Sequence, residues 1–520
     1  MTWNIDDSQG NEASKVRWDI VEYTRGQGLD LGCGPDKCFP HFVGVDNLKD
    51  TSLFGIKMKP DKVVETCELL PDFDDSSQDF VFSSHLLEHI EDYASALKEW
   101  WRVIKPGGHL VLYLPHKDLY PRCGTHGANP DHKHDFDPSD IKEVMRGLGG
   151  WALLVNEVRS AGNEYSFLQV WKKRADHIQS NDWIKTPGKK QKRACVCRFG
   201  GFGDMIQASG VFPALKADGF HVTVMTTPRG MSVIEHDPHI DAFFIQDENQ
   251  VPNHLLTEFW DYQATKFDRF INLSESIEGT LLSIPGRANH VWPDSMRHRI
   301  MNQNYHEFTA EIAEVKFSPD GRFYPTQDEM DKAESLVDSS KYSVMYALSG
   351  SSQHKFYAGQ DAVIARLLLD IPEITIFLAG DEACKILEVG WEKEPRVICL
   401  SGEQTIRETL ALAQKVNCVV GPETGILNAV GFDPDIAKVC LLSHSSIENL
   451  TKHWINSYPI EPVGMSCYPC HRMHYGMKYC LEDKETGTAM CQVSINPSRV
   501  TDAVMCSYER WKESVNEQLW

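Results

Sequence analysis

Four cysteines near the end of the chain have the spacing of a metal chelate. Cys467 and Cys470 form a CxxC pair, and Cys480 and Cys491 follow after nine and ten intervening residues. A CxxC turn can bring two thiolates to one ion, and two more complete a tetrahedral shell that suits zinc or iron. Four protein ligands leave no open position, so the ion would be structural, with His471 and His474 as alternative donors. Free thiols are the plainer reading of the other cysteines. Elsewhere the promising residues are glycine turns and carboxylates. GLDLGCGPDK (28–37) carries Asp30, Gly32 and Gly34 just past a short strand, and FVGVD (42–46) ends another strand on Asp46. Glycine lets backbone approach a ligand closely, and a carboxylate at a strand end can accept both hydroxyls of a ribose. RFGGFGD (198–204) sets Asp204 at a helix start, where the helix dipole favours its charge. There it could serve as a base or simply as a cap. GPETG (421–425) contains Glu423, Thr424 and Gly425 and feeds a helix containing Asn428, an arrangement suited to a diphosphate. Ser349-Gly350 and Gly380-Asp381 end neighbouring strands, and Lys355 could neutralise a phosphate leaving group.

Such residues need sheets to carry them. Strand-like and helix-like segments alternate almost throughout, which predicts an α/β protein with parallel sheets covered by helices. A chain of 520 residues is too long for one core and fits about three lobes. Residues 173–193 are polar, contain Pro187-Gly188 and read as a linker. The expected units are therefore 1–172, 194–325 and 326–520, with the cysteine finger (467–491) in the last. The formal charge of −22 argues against a nucleic-acid partner. No apolar run approaches the roughly 18–20 residues of a transmembrane segment. The N-terminal stretch does not read as a secretory signal, which points to the cytoplasm and to reduced thiols.

The glycine turn is continued by SQDFVFSSHLLEHIEDY (77–93) and EWWRVIKPGGHLVLYLPH (99–116). In this order the motifs resemble class I S-adenosylmethionine (SAM)-dependent methyltransferases, especially the small-molecule group found among surface-polysaccharide enzymes. The resemblance spans roughly residues 15–172 and implies a Rossmann-like domain. It implies that Asp30, Gly32 and Gly34 cradle the methionine part of SAM, that Asp46 holds the ribose, and that Ser84, His85 and Leu86 lie under the cofactor. Glu65 and Glu68 are both candidates for the adenine contact. His116, His132 and His134 are candidate bases for an acceptor hydroxyl.

GGFGDMIQASGVFPALK, SGSSQHK and GPETGILNAVGF resemble glycosyltransferase family 9, the ADP-heptose:lipopolysaccharide heptosyltransferases, over residues 194–520. That family implies a GT-B arrangement of two Rossmann-like lobes and an inverting transfer from a nucleotide diphosphate sugar to a glycan or protein acceptor. It implies Asp204 as general base, Lys355 at the donor phosphates and Glu423 near the sugar or ribose. Ser349, Gly350, Gly380, Thr424, Gly425 and Asn428 would line the donor site. The family commonly has Asp at position 423 and His at 428, so the donor sugar stays open. The cysteine pattern is similar to autotransporter heptosyltransferases with an iron-bound finger, which implies a homo-oligomer and tips zinc versus iron slightly toward iron. The alternative is a methyltransferase guided by an inactive GT-B sugar-binding module.

Overall fold

The computed structural model describes residues 11–47, 60–174, 182–183, 191–473 and 476–518. Most of the expected linker, and His474, fall outside these. Among the described residues no helix is long and apolar enough to cross a membrane. The chain forms two compact units. One comprises Met1–Lys190 with Ile245–Lys266, and the other Gln191–Phe244 with Phe267–Trp520.

The first unit is built on one sheet. Its strands are β1 (Gly28–Leu31), β2 (Val43–Asp46), β3 (Lys62–Val63), β4 (Gln78–Ser84), β5 (Ile104–Pro115), β6 (Trp151–Arg159), β7 (Ser166–Lys173) and β8 (Asp182–Trp183). They lie in the order β3-β2-β1-β4-β5-β7-β6-β8. β1 to β5 run parallel, while β7 is antiparallel to β5 and β6. β1 and β2 leave the centre toward one edge and β4 and β5 toward the other, so a crevice opens at the carboxyl end of β1, where α/β sheets take ligands. The helix Tyr93–Val103 buries Ala96, Leu97, Trp100 and Trp101, an apolar stripe at helical spacing, and its N-cap Asp92 accepts the Ser95 N–H at 3.0 Å.

The Pro106-Gly107-Gly108 turn is absorbed into β5 as an irregularity between the pairs Gln78–Ile104 and Phe80–His109. Gly108 is required there, because a Cβ would stand 2.5 Å from the Asp79 carbonyl oxygen. Residues 245–266 interrupt the 194–325 span by packing within the first unit. Gln263 donates to the Trp18 carbonyl at 2.7 Å, Gln250 to that of Val21 at 2.6 Å, and the Tyr262 hydroxyl to Asp19 at 2.7 Å. These bonds link residues more than 200 positions apart and have no local signature.

The second unit holds two sheets. The smaller contains β9 (Arg193–Cys197), β10 (His221–Thr226), β11 (Ala242–Ile245) and β12 (Arg269–Asn272), in the order β11-β10-β9-β12. The larger contains β13 (Tyr342–Ala347), β14 (Ile374–Ala379), β15 (Val397–Cys399), β16 (Cys418–Pro422), β17 (Ala437–Leu441) and β18 (Ser457–Ile460). Its order is β15-β14-β13-β16-β17-β18, all parallel. Both are Rossmann-like. β13, β16 and β17 are buried along their whole length, as expected of strands covered on both faces.

The two lobes meet through the helices Phe202–Ser209 and Gly425–Val430. A Cβ on Gly203 would stand 2.8 Å from the Asn428 amide, and one on Gly425 would stand 3.1 Å from the Gly203 nitrogen. These two glycines let the helix starts touch backbone to backbone.

Candidate functional site

At the carboxyl end of β1 the turn is shaped by two left-handed glycines, Gly32 (φ +71°) and Gly34 (φ +62°). They differ in surroundings. A Cβ on Gly32 would press on Leu86 at 3.0 Å, whereas one on Gly34 would meet nothing within 4 Å. Gly34 therefore faces open space, and Gly32 lets the turn pack on the segment after β4. Asp46 accepts the Gly34 N–H at 2.8 Å and the Asn47 N–H at 2.7 Å. Each oxygen keeps a further lone pair. Asp30 is buried and accepts the Cys38 N–H at 2.7 Å, and burial pushes its carboxyl up to about 7.

Ser84 closes β4 with a buried hydroxyl that has no hydrogen-bond partner among the described residues. His85 takes a left-handed conformation (φ +50°). Its Nε2 lies 2.8 Å from the Ser166 hydroxyl and its Nδ1 3.7 Å from Glu88 Oε1, while burial holds its ring down at about 3. Glu65 is exposed and Glu68 half-buried. Of the three candidate bases, His134 donates to the Glu91 carbonyl at 3.0 Å and His116 accepts the Asp118 N–H at 3.2 Å. His132 instead points at Glu88, with Nε2 3.8 Å from Oε1. Burial pushes Glu88 up to about 8 and His132 down to about 4.

Between the lobes of the second unit lies a cavity of about 1050 Å³. Asp204, Ser349, Gly350, Lys355, Gly380, Glu423, Thr424, Gly425 and Asn428 all line it. Asp204 is the third residue of its helix. Its Oδ2 accepts the Gly201 N–H at 2.6 Å, and its Oδ1 lies 3.1 Å from Arg198. Arg198 is 2% exposed and also makes a two-pronged bond to Glu278 at 2.9 and 2.8 Å. Against the cost of burial, these two carboxylates hold Arg198 firmly charged.

Lys355 is buried and donates to the Glu423 carbonyl at 2.8 Å, and burial lowers its pKa. Gly350 makes room for it, since a Cβ there would sit 2.8 Å from the lysine stem. Thr424 Oγ1, Asn428 Oδ1 and Ser352 Oγ are buried and unpartnered among the described residues, leaving polar groups ready for a ligand.

Glu423 is turned into the protein. Its Oε1 accepts the N–H groups of Ser443 (2.8 Å) and Ser445 (3.1 Å), and its Oε2 lies 2.5 Å from His444 Nδ1. Although burial opposes ionisation, His444 and these donors bring its carboxyl down to about 2. Arg198, Glu278 and His444 hold the site residues in place and were not singled out by the sequence. Only Arg198 had a local cue, being the residue that opens RFGGFGD.

The cysteine finger borders the same cavity through Met473, Met477 and Glu482. His471 donates its N–H to the His444 carbonyl at 2.9 Å and accepts from Ser283 at 2.6 Å, and Arg297 donates to the Cys470 carbonyl at 2.9 Å. The four thiols are neighbours, and the pKa values of Cys470, Cys480 and Cys491 are each raised by others of the four, though no three of their sulfur atoms lie within 4.8 Å of one another. Among the described residues, the one group of three or more His, Cys, Asp or Glu donors within 4.8 Å of one another is Glu88, His89 and His132. Burial and the like charge of neighbouring thiols raise Cys470 to about 12 and Cys480 to about 11, which favours the thiol over the thiolate.

Residues 29–112 match the methyltransferase domain family. A probable S-adenosylmethionine-dependent methyltransferase of Mycolicibacterium smegmatis is 27% identical over 75 residues. That match takes in 14% of this chain and spans 29% of the relative's length. Among solved structures, the E. coli ADP-heptose lps heptosyltransferase II aligns with 62% of this chain and 99% of its own, at 13% identity and a TM-score of 0.43. The dodecameric iron-containing heptosyltransferase TibC, in complex with ADP-D-beta-D-heptose, aligns with 66% of this chain and 82% of its own, at 12% identity and a TM-score of 0.43.

Proposed function

We propose that the chain combines a SAM-dependent methyltransferase with an inverting glycosyltransferase that uses a nucleotide diphosphate sugar. The observation that carries the second activity is the convergence of nine motif residues, from four separate stretches of the sequence, on one cavity between two Rossmann-like lobes. The methyltransferase domain match and the open Gly34 turn carry the first.

In the cleft, Asp204 takes the proton of the acceptor hydroxyl. Arg198 and the Gly201 N–H aim its carboxylate, which keeps lone pairs for the incoming proton. Lys355 has two N–H donors beyond the one given to Glu423 and turns them to the diphosphate leaving group. Glu423 acts from behind as a positioning residue that fixes His444 and the 443–445 loop. The family's acid at this position thus serves here by holding the wall of the donor pocket. Thr424 and Asn428 supply the free polar atoms for the donor. The sugar is a heptose or a related hexose, and the acceptor a glycan or protein hydroxyl.

In the first unit the residues fit SAM. Gly34 leaves space where a side chain would intrude, Asp46 retains acceptor capacity for a ribose, and Asp30 offers a buried carboxyl to the cationic methionine end. SAM supplies the methyl group. The four cysteines are assigned to a structural zinc or iron ion, since their donor chemistry fits either. The finger's bonds to His444 would then couple that ion to the shape of the donor pocket.

The test is turnover of a panel of nucleotide sugars, ADP-heptose included, by the full chain and by Asp204→Asn. Loss of transfer by about 10³-fold with donor binding retained is expected. Undiminished transfer by the variant would remove Asp204 as the base. Donor binding without turnover in the parent protein would leave a sugar-binding module beside a methyltransferase.

A further inference from the structure

We propose that Glu88, His89 and His132 form a divalent-metal site at the carboxyl edge of the first unit's sheet, with coordination positions left open for an oxygen of the methyl acceptor. The argument begins with Glu88. Its side chain is fully buried, yet neither carboxylate oxygen accepts a hydrogen bond from another residue among those described. A buried carboxylate without a partner is costly, so its retention calls for a ligand.

The neighbours supply the other donors. Ligand atoms of Glu88, His89 and His132 all lie within 4.8 Å of one another. His132 Nε2 stands 3.8 Å from Glu88 Oε1; His85 Nδ1 stands 3.7 Å from the same oxygen but lies outside the three-donor group. These separations are too long for hydrogen bonds. They are close to the roughly 3.4 Å between two donors that share one tetrahedral ion at about 2.1 Å. The His89 and His132 rings meet edge to face, with centroids 4.7 Å apart.

The main chain holds the group in place. Glu88 and His89 lie on the turn Leu87–His89 just after β4, and His132 lies in the loop beyond β5. That loop is fastened to the turn by Lys133 N–H and His134 N–H, which both donate to the Glu88 carbonyl at 2.8 and 3.3 Å. His89 donates its Nδ1–H to the Asp131 carbonyl at 3.3 Å, the outer bond by which ligating histidines are oriented.

Two imidazoles and one carboxylate suit a first-row transition dication such as zinc, manganese, iron or cobalt. Three protein ligands leave room for at least one exogenous oxygen. The turn lies beside Leu86, which packs under Gly32, so the ion and the glycine turn share one edge of the sheet. The acceptor class this favours is a hydroxylated molecule that presents one or two oxygens to the ion. The metal site stands on the donor geometry alone, whereas its service to an acceptor rests on the methyl-transfer reading above.

The experiment uses the full chain, stripped of metal by a chelator and titrated with Co2+ while its visible spectrum is followed. A Cys467→Ser/Cys470→Ser background separates this site from the cysteine finger, because thiolate ligands add an intense near-ultraviolet band that nitrogen and oxygen donors lack. The expected result is one Co2+ per chain with nitrogen/oxygen-type bands, weakened about 100-fold or more by Glu88→Gln and by His132→Ala. Glu88→Gln is nearly isosteric and should not lower thermal stability in the absence of metal, so its loss of cobalt is not a folding defect. Cobalt uptake unchanged in both variants, or none in the parent protein, overturns the site. Cobalt bound through these residues while methyl transfer is indifferent to chelation supports the site and overturns its role at the acceptor.

Discussion

Asp30 in the first unit and Glu423 in the second are both buried carboxylates near the carboxyl ends of central parallel strands, and both were singled out from glycine-containing turns. Their electrostatics are opposite. Asp30 has one N–H donor, from Cys38, and desolvation wins, carrying it up to about 7. Glu423 has the Ser443 and Ser445 N–H groups and the His444 ring, and these outweigh desolvation, carrying it down to about 2. Burial alone therefore does not decide whether a strand-end carboxyl is charged. The number and kind of its donors do. On the proposed reading a cationic ligand would complete the site in the first unit, whereas in the second the protein's own groups already hold the carboxylate ionised.

The sharpest way to break this contrast is His444→Ala. It removes the largest partner of the Glu423 charge, leaving the Ser443 and Ser445 N–H groups and the Lys355 charge, and should cost about 3 kcal/mol, read from urea unfolding of the full chain. Asp30→Asn should instead be tolerated at neutral pH. A comparable loss in both would mean that the two carboxyls play the same part.

The next effect is a pH dependence confined to Asp30. Its folded pKa is raised, so its stabilising contribution is complete below pH 3.8 and is lost as pH rises through about 7, a span of about 4 kcal/mol. Unfolding midpoints measured from pH 4 to 8 should flatten in Asp30→Asn. Glu423 has the reverse sign and a slightly smaller span. Its contribution of about 3 kcal/mol is present above pH 4.5 and is lost as pH falls through about 2. Glu423→Gln should remove that acid limb. The smallest signal is a proton count. At pH 6 the cationic end of SAM should ionise Asp30 and release about one proton per SAM bound, which calorimetry in buffers of different ionisation enthalpy detects. No proton release, or equal release from Asp30→Asn, would place the SAM ammonium elsewhere.

Much of the fold was legible because its signals are local. The strands of the second unit stand out as short apolar runs, apart from β12 and β18. The cleft residues were found because a glycine turn feeding a helix is written in consecutive positions. That the segment 245–266, inside the expected 194–325 unit, packs with the first unit was not legible, because Gln250, Tyr262 and Gln263 declare their partners only in three dimensions. Gly425 was expected in the donor site and lines the cavity, and what the sequence did not disclose is that a Cβ there would also press on the Gly203 nitrogen at 3.1 Å. The cysteine spacing was plain, and the fold brings the four thiols into one neighbourhood, which spacing by itself does not dictate.

By itself the sequence determined the alternation of elements, the turns at their ends and the set of residues able to do chemistry, since propensity, periodicity and turn geometry act over a few positions. Tertiary structure alone decided which groups are charged and what each one serves. Arg198 needs Glu278 from 80 residues away, Glu423 needs His444, and Glu88 meets His132 only because two strand ends share one edge of a sheet. Coulomb and desolvation energies depend on distance through space, and folding is what sets that distance.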